Sequence, residues 1–342
     1  FRDNPASWYK GHNYHLTDVF GSNLNAWFNS SFGKTAFGAE IRTENVWSNV
    51  LGKALTTPIA VPGESGQFFT KSYSRTTISN FSASAGLMTN WISDLGFGWN
   101  IYPGIDASYS LTNHFKIYGS ANSTLRMPTF TDLFYNGPTN IGNPDLKPEK
   151  SVTYEGGIKL TYIGFLGHAD VYHRRGKDLI DWVRENETDK WQTKNLTRIN
   201  STGFELSGNF FPEKIWRKDI FITKLGLNYS YSKLDKGGNN FFSNYVLDNL
   251  KHKLDVEINH KIWSKLKGSW RFSYQDRNGM RTQTDSYQPF WLVNARIMWK
   301  TPSTEIYAMA SNLFDTKYFD LGTIEQPGRW ISFGISHQIN FK

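Results

Sequence analysis

The chain has 342 residues and a mass of 39.3 kDa, with a formal net charge of +8 and a mean hydropathy of −0.51. Aromatic residues make up 16% and glycine contributes 29 residues, a composition that excludes a disordered polar chain. No segment approaches the ~18 to 20 consecutive apolar residues of a transmembrane helix. Cysteine is absent, which excludes disulfides and cysteine nucleophiles. The sequence starts at Phe1 without a methionine or signal peptide, so we expect part of a processed protein.

Apolar and polar side chains alternate with a period of two residues along most of the chain. In 151–162, for example, Val152, Ile158 and Leu160 occupy even positions, and the odd positions are mostly polar. This alternation is typical of β-strands and fits no helical spacing. It predicts about fifteen strands. Their approximate cores, in chain order, are 23–31, 34–46, 72–81, 82–90, 97–110, 115–125, 151–162, 165–182, 195–211, 220–234, 248–262, 266–278, 290–300, 304–312 and 329–341.

The connections between these strands are of two kinds. Tight connections at 111–114, 163–164, 263–265 and 301–303 alternate with long polar ones. The long ones are 47–71, 127–150, 183–194, 235–247 and 315–328. Long connections on one rim and tight turns on the other are typical of outer-membrane barrels. A strand of ~10 residues tilted by ~45° spans ~23 Å, close to the ~25 Å apolar band of such barrels.

Tryptophans fall near the strand ends, where the interfacial girdles of a membrane barrel lie. They are Trp91, Trp99, Trp263, Trp291, Trp299 and Trp330. The sequence therefore predicts an all-β fold, a transmembrane antiparallel up-and-down β-barrel. A soluble β-sandwich is the alternative, although its outward face would be polar and its strands shorter.

The strand arithmetic predicts that the barrel is incomplete. Single-chain bacterial barrels use even strand numbers, so about fifteen strands do not close. An open sheet would leave unpaired backbone groups in lipid, and we therefore expect further strands before Phe1. The stretch 72–90 is also barely long enough for two strands, which indicates a missing segment near 81–82.

Two stretches carry a family resemblance. The first is LRMPTFTDLF at 125–134 followed by GNPDLKPEK at 142–150; the second is ASNLFD at 310–315, with Tyr318, PGR at 327–329 and a last strand ending at Phe341. Both resemble signatures of TonB-dependent outer-membrane receptors. The resemblance implies a 22-stranded barrel, of which residues 1–342 are the C-terminal part, and it implies that the plug domain and first strands lie outside the sequence. It also implies TonB as a partner, through the missing N-terminal region.

Within that family, the DLID stretch at 178–181 and the loop 143–150 look most like cobalamin (vitamin B12) receptors. The first hundred residues resemble versions from the Bacteroides group, in which a surface-exposed lipoprotein lids the barrel. Receptors for ferric siderophores, haem or oligosaccharides stay open as alternatives, because variable loops select the substrate.

Such a receptor captures a scarce, large solute with its outer loops and imports it when energy from the inner membrane displaces its own plug domain. Inward groups such as Arg271, Glu257, Asp255, Lys159 and Glu155 hydrate the lumen. Aromatic residues in the outer loops are the candidate ligand contacts, because flat rings offer a large contact area at little entropic cost. They are Trp8, Tyr9, Tyr14, Phe134, Tyr135, Trp182, Trp191, Phe242 and Tyr245. The turn 143–148 is expected to serve the fold instead.

Other functions receive less support. His12 and His15 lack a third ligand, and the aspartates lack a calcium-loop spacing, so no metal or cofactor is expected. His168 and His173 lie on opposite strand faces without a nucleophile motif, which argues against an enzyme. Lysine and arginine are spread along the chain, which argues against nucleic-acid binding and fits contacts with outer-membrane lipid. A passive porin is the alternative of another class.

Overall fold

Antiparallel strands make up most of the structure. A computed structural model describes residues 15–31, 33–48, 51, 59–60, 65–78, 80–92, 98–186, 188–236, 242–243, 249–280, 285–322 and 324–339. The strands are β1 His15–Ser30, β2 Gly33–Ser48, β3 Ile59–Ala60, β4 Ser65–Ile78, β5 Phe81–Ile92, β6 Gly98–Ser110, β7 Phe115–Arg126, β8 Asn140–Ile141, β9 Glu149–Tyr162, β10 Phe165–Arg184, β11 Trp191–Phe210, β12 Ile222–Lys236, β13 Phe242–Ser243, β14 Leu250–Lys261, β15 Leu266–Arg277, β16 Phe290–Lys300, β17 Thr304–Ser311, β18 Phe319–Leu321, β19 Ile324–Glu325 and β20 Trp330–His337. Two short helices, α1 Phe130–Phe134 and α2 Pro212–Trp216, lie between strands. None of the helices in the described ranges has the length and hydropathy of a membrane span.

Fifteen of these strands are long, and each pairs antiparallel with the next long strand along the chain. The wall therefore runs β1, β2, β4, β5, β6, β7, β9, β10, β11, β12, β14, β15, β16, β17, β20. The prediction of about fifteen strands in up-and-down order is confirmed. One continuous sheet contradicts the sandwich alternative, which needs two sheets packed face to face.

The two rims differ as the sequence predicts. On one rim the strands are joined through 31–32, 79–80, 111–114, 163–164, 211–221, 262–265 and 301–303. On the other they are joined through 49–64, 93–97, 127–148, 185–190, 237–249, 278–289 and 312–329. We call these the turn rim and the loop rim. Short strands extend the wall at the loop rim, because β8 pairs with β11 and β13 pairs with β10.

The outer face of the wall is apolar and exposed. On β20, Phe333 and Ile335 are 78% and 72% exposed, and Ile101 and Ile105 on β6 are similarly exposed. The six tryptophans near the strand ends are also exposed, from 39% for Trp91 to 78% for Trp263. Exposure of so wide an apolar band to water is unfavourable, whereas the acyl chains of a bilayer solvate it.

The structure corrects one pair of strand boundaries. β4 begins at Ser65, so the expected loop 47–71 is shorter, and β4 ends at Ile78 before the turn that leads into β5. The two strands pair without interruption from Gln67 opposite Ile92 to Ile78 opposite Phe81. This hairpin is as long as its neighbours, so strand length gives no reason for a missing segment near 81–82, and that segment stays a prediction.

Candidate functional site

The inner face of the wall is polar and charged. Along β14 and β15, Asp255, Glu257 and Arg271 alternate with apolar residues that point outwards, as predicted. Lys159 and Glu155 on β9 occupy the same face. These side chains hydrate the lumen, because the outward positions carry the apolar groups.

Charged groups on this face pair across neighbouring strands. Lys224 Nζ lies 3.0 Å from Glu257 Oε2, and the Arg271 guanidinium lies 3.9 Å from the same oxygen. The Ser273 hydroxyl donates to the Asp255 carboxylate. The four charged side chains keep part of their surface open to the lumen, since Glu257 and Asp255 are both 23% exposed. The lumen therefore offers both signs of charge to whatever fills it.

On the inner face, tyrosine rings lie directly over glycines of the next strand. A Cβ on Gly157 would lie 2.6 Å from the Tyr118 ring, and one on Gly203 would lie 2.6 Å from the Tyr172 hydroxyl. Gly203 would also place its Cβ 2.3 Å from the Tyr231 carbonyl oxygen. Only glycine leaves room for this close approach, which keeps the rings flat against the wall.

At the loop rim, the first predicted signature folds into a compact unit. We define the rim unit as residues 126–149, 178–183 and 193–195. Its helix α1 begins with a capping box: the Thr129 hydroxyl accepts from the Asp132 N–H at 3.1 Å, and the Asp132 carboxylate accepts from the Thr129 N–H at 3.0 Å. The Asp132 carbonyl accepts from the Thr193 hydroxyl at 2.7 Å, which ties α1 to β11.

A buried carboxylate joins the strands beneath the helix. Glu149, 8% exposed, accepts from the Arg126 guanidinium at 2.6 Å and from the Ile180 N–H at 2.8 Å. The Asn195 amide donates to the carbonyls of Lys147 and Asp178 at 2.8 and 2.7 Å, and its oxygen accepts from the Lys147 N–H. These bonds satisfy backbone groups that a loop would otherwise leave to water.

A small apolar core completes the rim unit. Leu133, Leu146 and Ile180 are at most 4% exposed and pack together, with Phe134 against them. Gly142 lies directly on α1, because a Cβ there would be 2.8 Å from the carbonyl of Leu133. The Asn143 side chain accepts from the Asp145 N–H at 2.9 Å, an Asx turn. The structural role predicted for 143–148 is thus confirmed.

The four described aromatic candidates divide into two pairs. Phe134 packs on the apolar core, and Trp182 is only 8% exposed with its edge against the Tyr135 ring. Both rings pack within the rim unit, and Trp182 offers little surface to a ligand. Tyr135 is half-buried, and Trp191 is half-buried with the Arg184 guanidinium 4.5 Å from its ring centre. These two keep an accessible ring face at the loop rim.

The other candidates lie where the structure gives less. Trp8, Tyr9, Tyr14 and Tyr245 lie outside the described residues, as does His12. Phe242 is placed only by its backbone, which pairs with Arg184 in the β10–β13 contact. Among the described residues, no three His, Asp or Glu side chains cluster as a metal site. His168 and His173 occupy opposite faces of β10, as predicted.

A cavity lies at the loop-rim ends of β10 and β11. It has a volume of about 390 Å³ and includes Arg184 and Gln192 in its lining. Lys194 on its wall lies 3.4 Å from Glu185, and Lys190 donates to the Gly137 carbonyl at 3.1 Å. The cavity thus holds side chains of both charges, and Arg184 on its wall lies over the Trp191 ring.

A second loop-rim cavity was missed by sequence reasoning. It has a volume of about 400 Å³ and lies between 285–290 and 317–319, with Tyr287, Phe290 and Tyr318 in its wall. Burial raises the pKa of the Tyr318 phenol above its ordinary value, and the Asp320 carboxylate adds to this effect. Tyr287 accepts from the Gly322 N–H at 2.6 Å. The aromatic residues of the loops 278–289 and 312–329 were the signal that could have indicated it.

The wall has an apolar outer band, a charged lumen and a loop rim that carries the rim unit. These features define a transmembrane outer-membrane β-barrel of the receptor class. Comparison with known families agrees. Residues 2–313 match the family "TonB dependent receptor-like, beta-barrel", and the chain belongs to it. The barrel fold and the outer-membrane location follow from this membership.

Several known proteins are similar to parts of the chain. It is 30% identical over 122 residues to "Vitamin B12 transporter BtuB" of Vibrio vulnificus, covering 34% of the chain and 19% of that protein. It is 25% identical over 231 residues to the protein of the same name from Photobacterium profundum, covering 65% and 35%. The structure of the siderophore receptor PirA from Pseudomonas aeruginosa superposes with a TM-score of 0.70 at 14% identity, covering 95% of the chain and 55% of PirA.

Two consequences follow from these comparisons. The chain spans between a fifth and two fifths of the curated relatives it matches, and about half of PirA. The relatives named as vitamin B12 transporters come from Vibrio and Photobacterium, so the expected likeness to the Bacteroides group is not supported. The surface lipoprotein implied by that likeness loses its support as well.

Proposed function

We propose that the chain is the wall and loop rim of a TonB-dependent receptor that captures a scarce, large solute and imports it into the periplasm, and that this solute is cobalamin. The observation that carries the proposal is the pairing of a charged lumen with a folded, aromatic-bearing loop rim. A wall of this kind needs a plug to be selective. The plug and the remaining wall strands are assigned to parts of the protein outside this chain.

Capture is assigned to the loop rim. Tyr135 and Trp191 present partly open rings, and the 390 Å³ cavity beside Trp191 supplies cationic and anionic side chains. A corrin is a large, flat ring system edged with amides, so it matches stacking surfaces surrounded by hydrogen-bonding groups. Phe134 and Trp182 contribute indirectly, by fixing the backbone that carries Tyr135.

Transit is assigned to the lumen. Glu257, Arg271 and Lys224 form a cross-strand group whose partly exposed charges suit ionic contacts with a plug surface. Such contacts hold a plug in place and still break at modest cost, because exposed ion pairs are weak. TonB then acts on the plug from the periplasmic side.

Cobalamin is preferred to other cargoes because two of the matching sequences carry the name vitamin B12 transporter. A ferric siderophore is the second candidate, since the superposed structure is a siderophore receptor. Haem and oligosaccharides stay open as alternatives, because the same rings and polar groups of the loop rim face them. The fold does not discriminate among these cargoes, because the loops rather than the wall select them.

The test is binding of cyanocobalamin, a ferric catecholate siderophore and haem to the purified full-length receptor, measured in parallel by calorimetry. We expect nanomolar affinity for cyanocobalamin and a loss of about tenfold in Trp191→Ala, since one stacked ring contributes roughly 1–3 kcal/mol. Trp99→Ala is the matched control, because that ring is 63% exposed on the outer face at the same rim. If the receptor bound only the iron chelate tightly, the proposed cargo would change to a ferric siderophore and the receptor proposal would stand.

The porin alternative has its own test. A passive porin conducts ions steadily in planar bilayers, whereas a plugged receptor stays closed. We expect the full-length protein to show no steady conductance and to gain it only when the plug is deleted. Open conductance of the intact protein would contradict the receptor proposal.

A further inference from the structure

One connection on the turn rim differs from its neighbours in length and content. The segment 211–221 joins β11 to β12 and contains α2, whereas the other turn-rim connections have at most four residues. Pro212 lies in the first turn of α2, where its fixed φ suits a helix start. The helix ends at Arg217, which adopts a left-handed φ of 53° and donates its N–H to the Glu213 carbonyl at 2.9 Å.

This connection folds onto the lipid-facing side of the wall. The Trp216 ring meets the Phe210 ring edge-on at 5.7 Å, and Phe210 shares the outward face of β11 with Leu206. The Phe221 ring stacks on His260 at 4.8 Å, on the outward face of β14. The aromatic side of the segment therefore lies against the lipid-facing wall, and its carboxylates reach Lys261 at the end of β14.

Apolar rings in this segment point to the bilayer. Trp216 is 55% exposed, Phe221 is 64% exposed, and Trp263 in the next turn is 78% exposed. Large exposed rings at a barrel end are placed at the headgroup level of the bilayer, where an aromatic body meets acyl chains.

The charges of the segment are unbalanced. Its two carboxylates, Glu213 and Asp219, both contact Lys261 Nζ. Within the described part of the chain, Lys214, Arg217 and Lys218 have no carboxylate in ion-pair distance. Among the described residues these three cations therefore have no ion-pair partner, and in the sequence they neighbour the exposed rings of Trp216 and Phe221.

We propose that α2 and the cations after it bind the headgroup of an anionic phospholipid in the leaflet at the turn rim. The phosphate diester would be held by Arg217 and Lys218, and the acyl chains would pack on Trp216 and Phe221. Charge complementarity selects an anionic headgroup, and the exposed rings select a lipid over a free phosphate. Lipopolysaccharide belongs to the opposite leaflet, at the loop rim, so the site is assigned to phospholipid.

The test uses the delipidated full-length receptor in neutral detergent, titrated with phosphatidylglycerol or phosphatidylethanolamine of equal acyl chains. Bound lipid is counted by native mass spectrometry. We expect a preference for phosphatidylglycerol, and a loss of about tenfold in that preference in R217N/K218Q. Asparagine is chosen at 217 because it tolerates the left-handed conformation. Trp216→Ala should weaken both lipids alike.

The matched control is K116Q/K267Q, which removes two cations at the same end of the wall but on the lumen face. We expect it to keep the lipid preference. Equal binding of the two lipids by the unaltered receptor, or an equal loss in the control, would overturn the proposal. So would displacement of phosphatidylglycerol by lipid A at the same site. If R217N/K218Q does not fold, Lys218→Gln alone tests the proposal, because Lys218 is exposed.

Discussion

The rim unit and the lumen wall both carry carboxylates, but they use them differently. In the rim unit, Glu149, Asp132 and Asp181 are at most 8% exposed and are bonded within the protein. On the lumen wall, the Glu257 and Asp255 side chains are 23% exposed and pair with residues of their own and of neighbouring strands. The carboxylates of the family signature in the rim unit therefore stabilise the local fold, whereas those of the lumen keep exposed surface with which another group can pair.

The largest expected effect comes from removing the buried carboxylate of the rim unit. In Glu149→Ala, we expect the free energy of unfolding to fall by about 3 kcal/mol, because the Arg126 guanidinium and the Ile180 N–H lose their acceptor. Urea unfolding of the detergent-solubilised receptor, followed by tryptophan fluorescence, measures it. Glu205→Ala, an exposed lumen carboxylate, is the control and should change stability by less than about 0.5 kcal/mol. Equal effects would remove the distinction between the two regions.

A single methyl group tests the close packing of α1. Gly142→Ala places a Cβ 2.8 Å from the backbone of Leu133, so the loop must shift, and we expect a loss of about 2 kcal/mol. Gly156→Ala adds the same methyl on β9, where the nearest atom is 3.9 Å away. Limited proteolysis of the loop 127–148 should accelerate in the first variant only. Similar cleavage of both would show that the rim unit is not closely packed.

The helix cap gives a smaller effect. Thr129→Ala removes the hydroxyl that accepts from the Asp132 N–H, and we expect a loss of about 1 kcal/mol in unfolding free energy. Thr131→Ala lies within α1 with an exposed side chain and should be nearly neutral. A neutral Thr129→Ala would mean that the capping box does not stabilise α1.

The smallest effect is expected on the lumen wall. A double-mutant cycle with Glu257→Gln and Lys224→Gln should give a coupling energy below about 0.5 kcal/mol, because water in the lumen screens the pair. The four proteins of the cycle are unfolded in urea under one ionic strength. A coupling energy as large as the loss expected for Glu149→Ala would mean that the lumen carboxylates also stabilise the fold.

The sequence predicted the wall more accurately than the sites. Alternation located β9, β14 and β15 because each strand has one apolar and one polar face, and that requirement is local. It failed at β4, where Phe68 and Phe69 are adjacent and the alternation is broken, so the first half of the strand was assigned to a loop. Pairing with β2 and β5 places it in the wall.

Aromatic residues in loops were predicted as ligand contacts without knowledge of what surrounds them. Phe134 and Trp182 pack within the rim unit, whereas Tyr135 contacts Trp182, and Trp191 lies under the Arg184 guanidinium. The cavity at Tyr287 and Tyr318 joins two loops that are distant in sequence, so no local pattern indicates it.

By itself, the sequence determined that this protein is an all-β membrane wall with an apolar outside and a charged inside, because a two-residue period repeats along most of the strands. The tertiary structure alone decided which loop groups are buried, which are open and which segment folds onto the lipid-facing side. These outcomes depend on contacts between strands and loops far apart in the chain, such as Glu149 with Ile180 and Trp216 with Phe210. The chemistry of a single residue does not specify its neighbour in space.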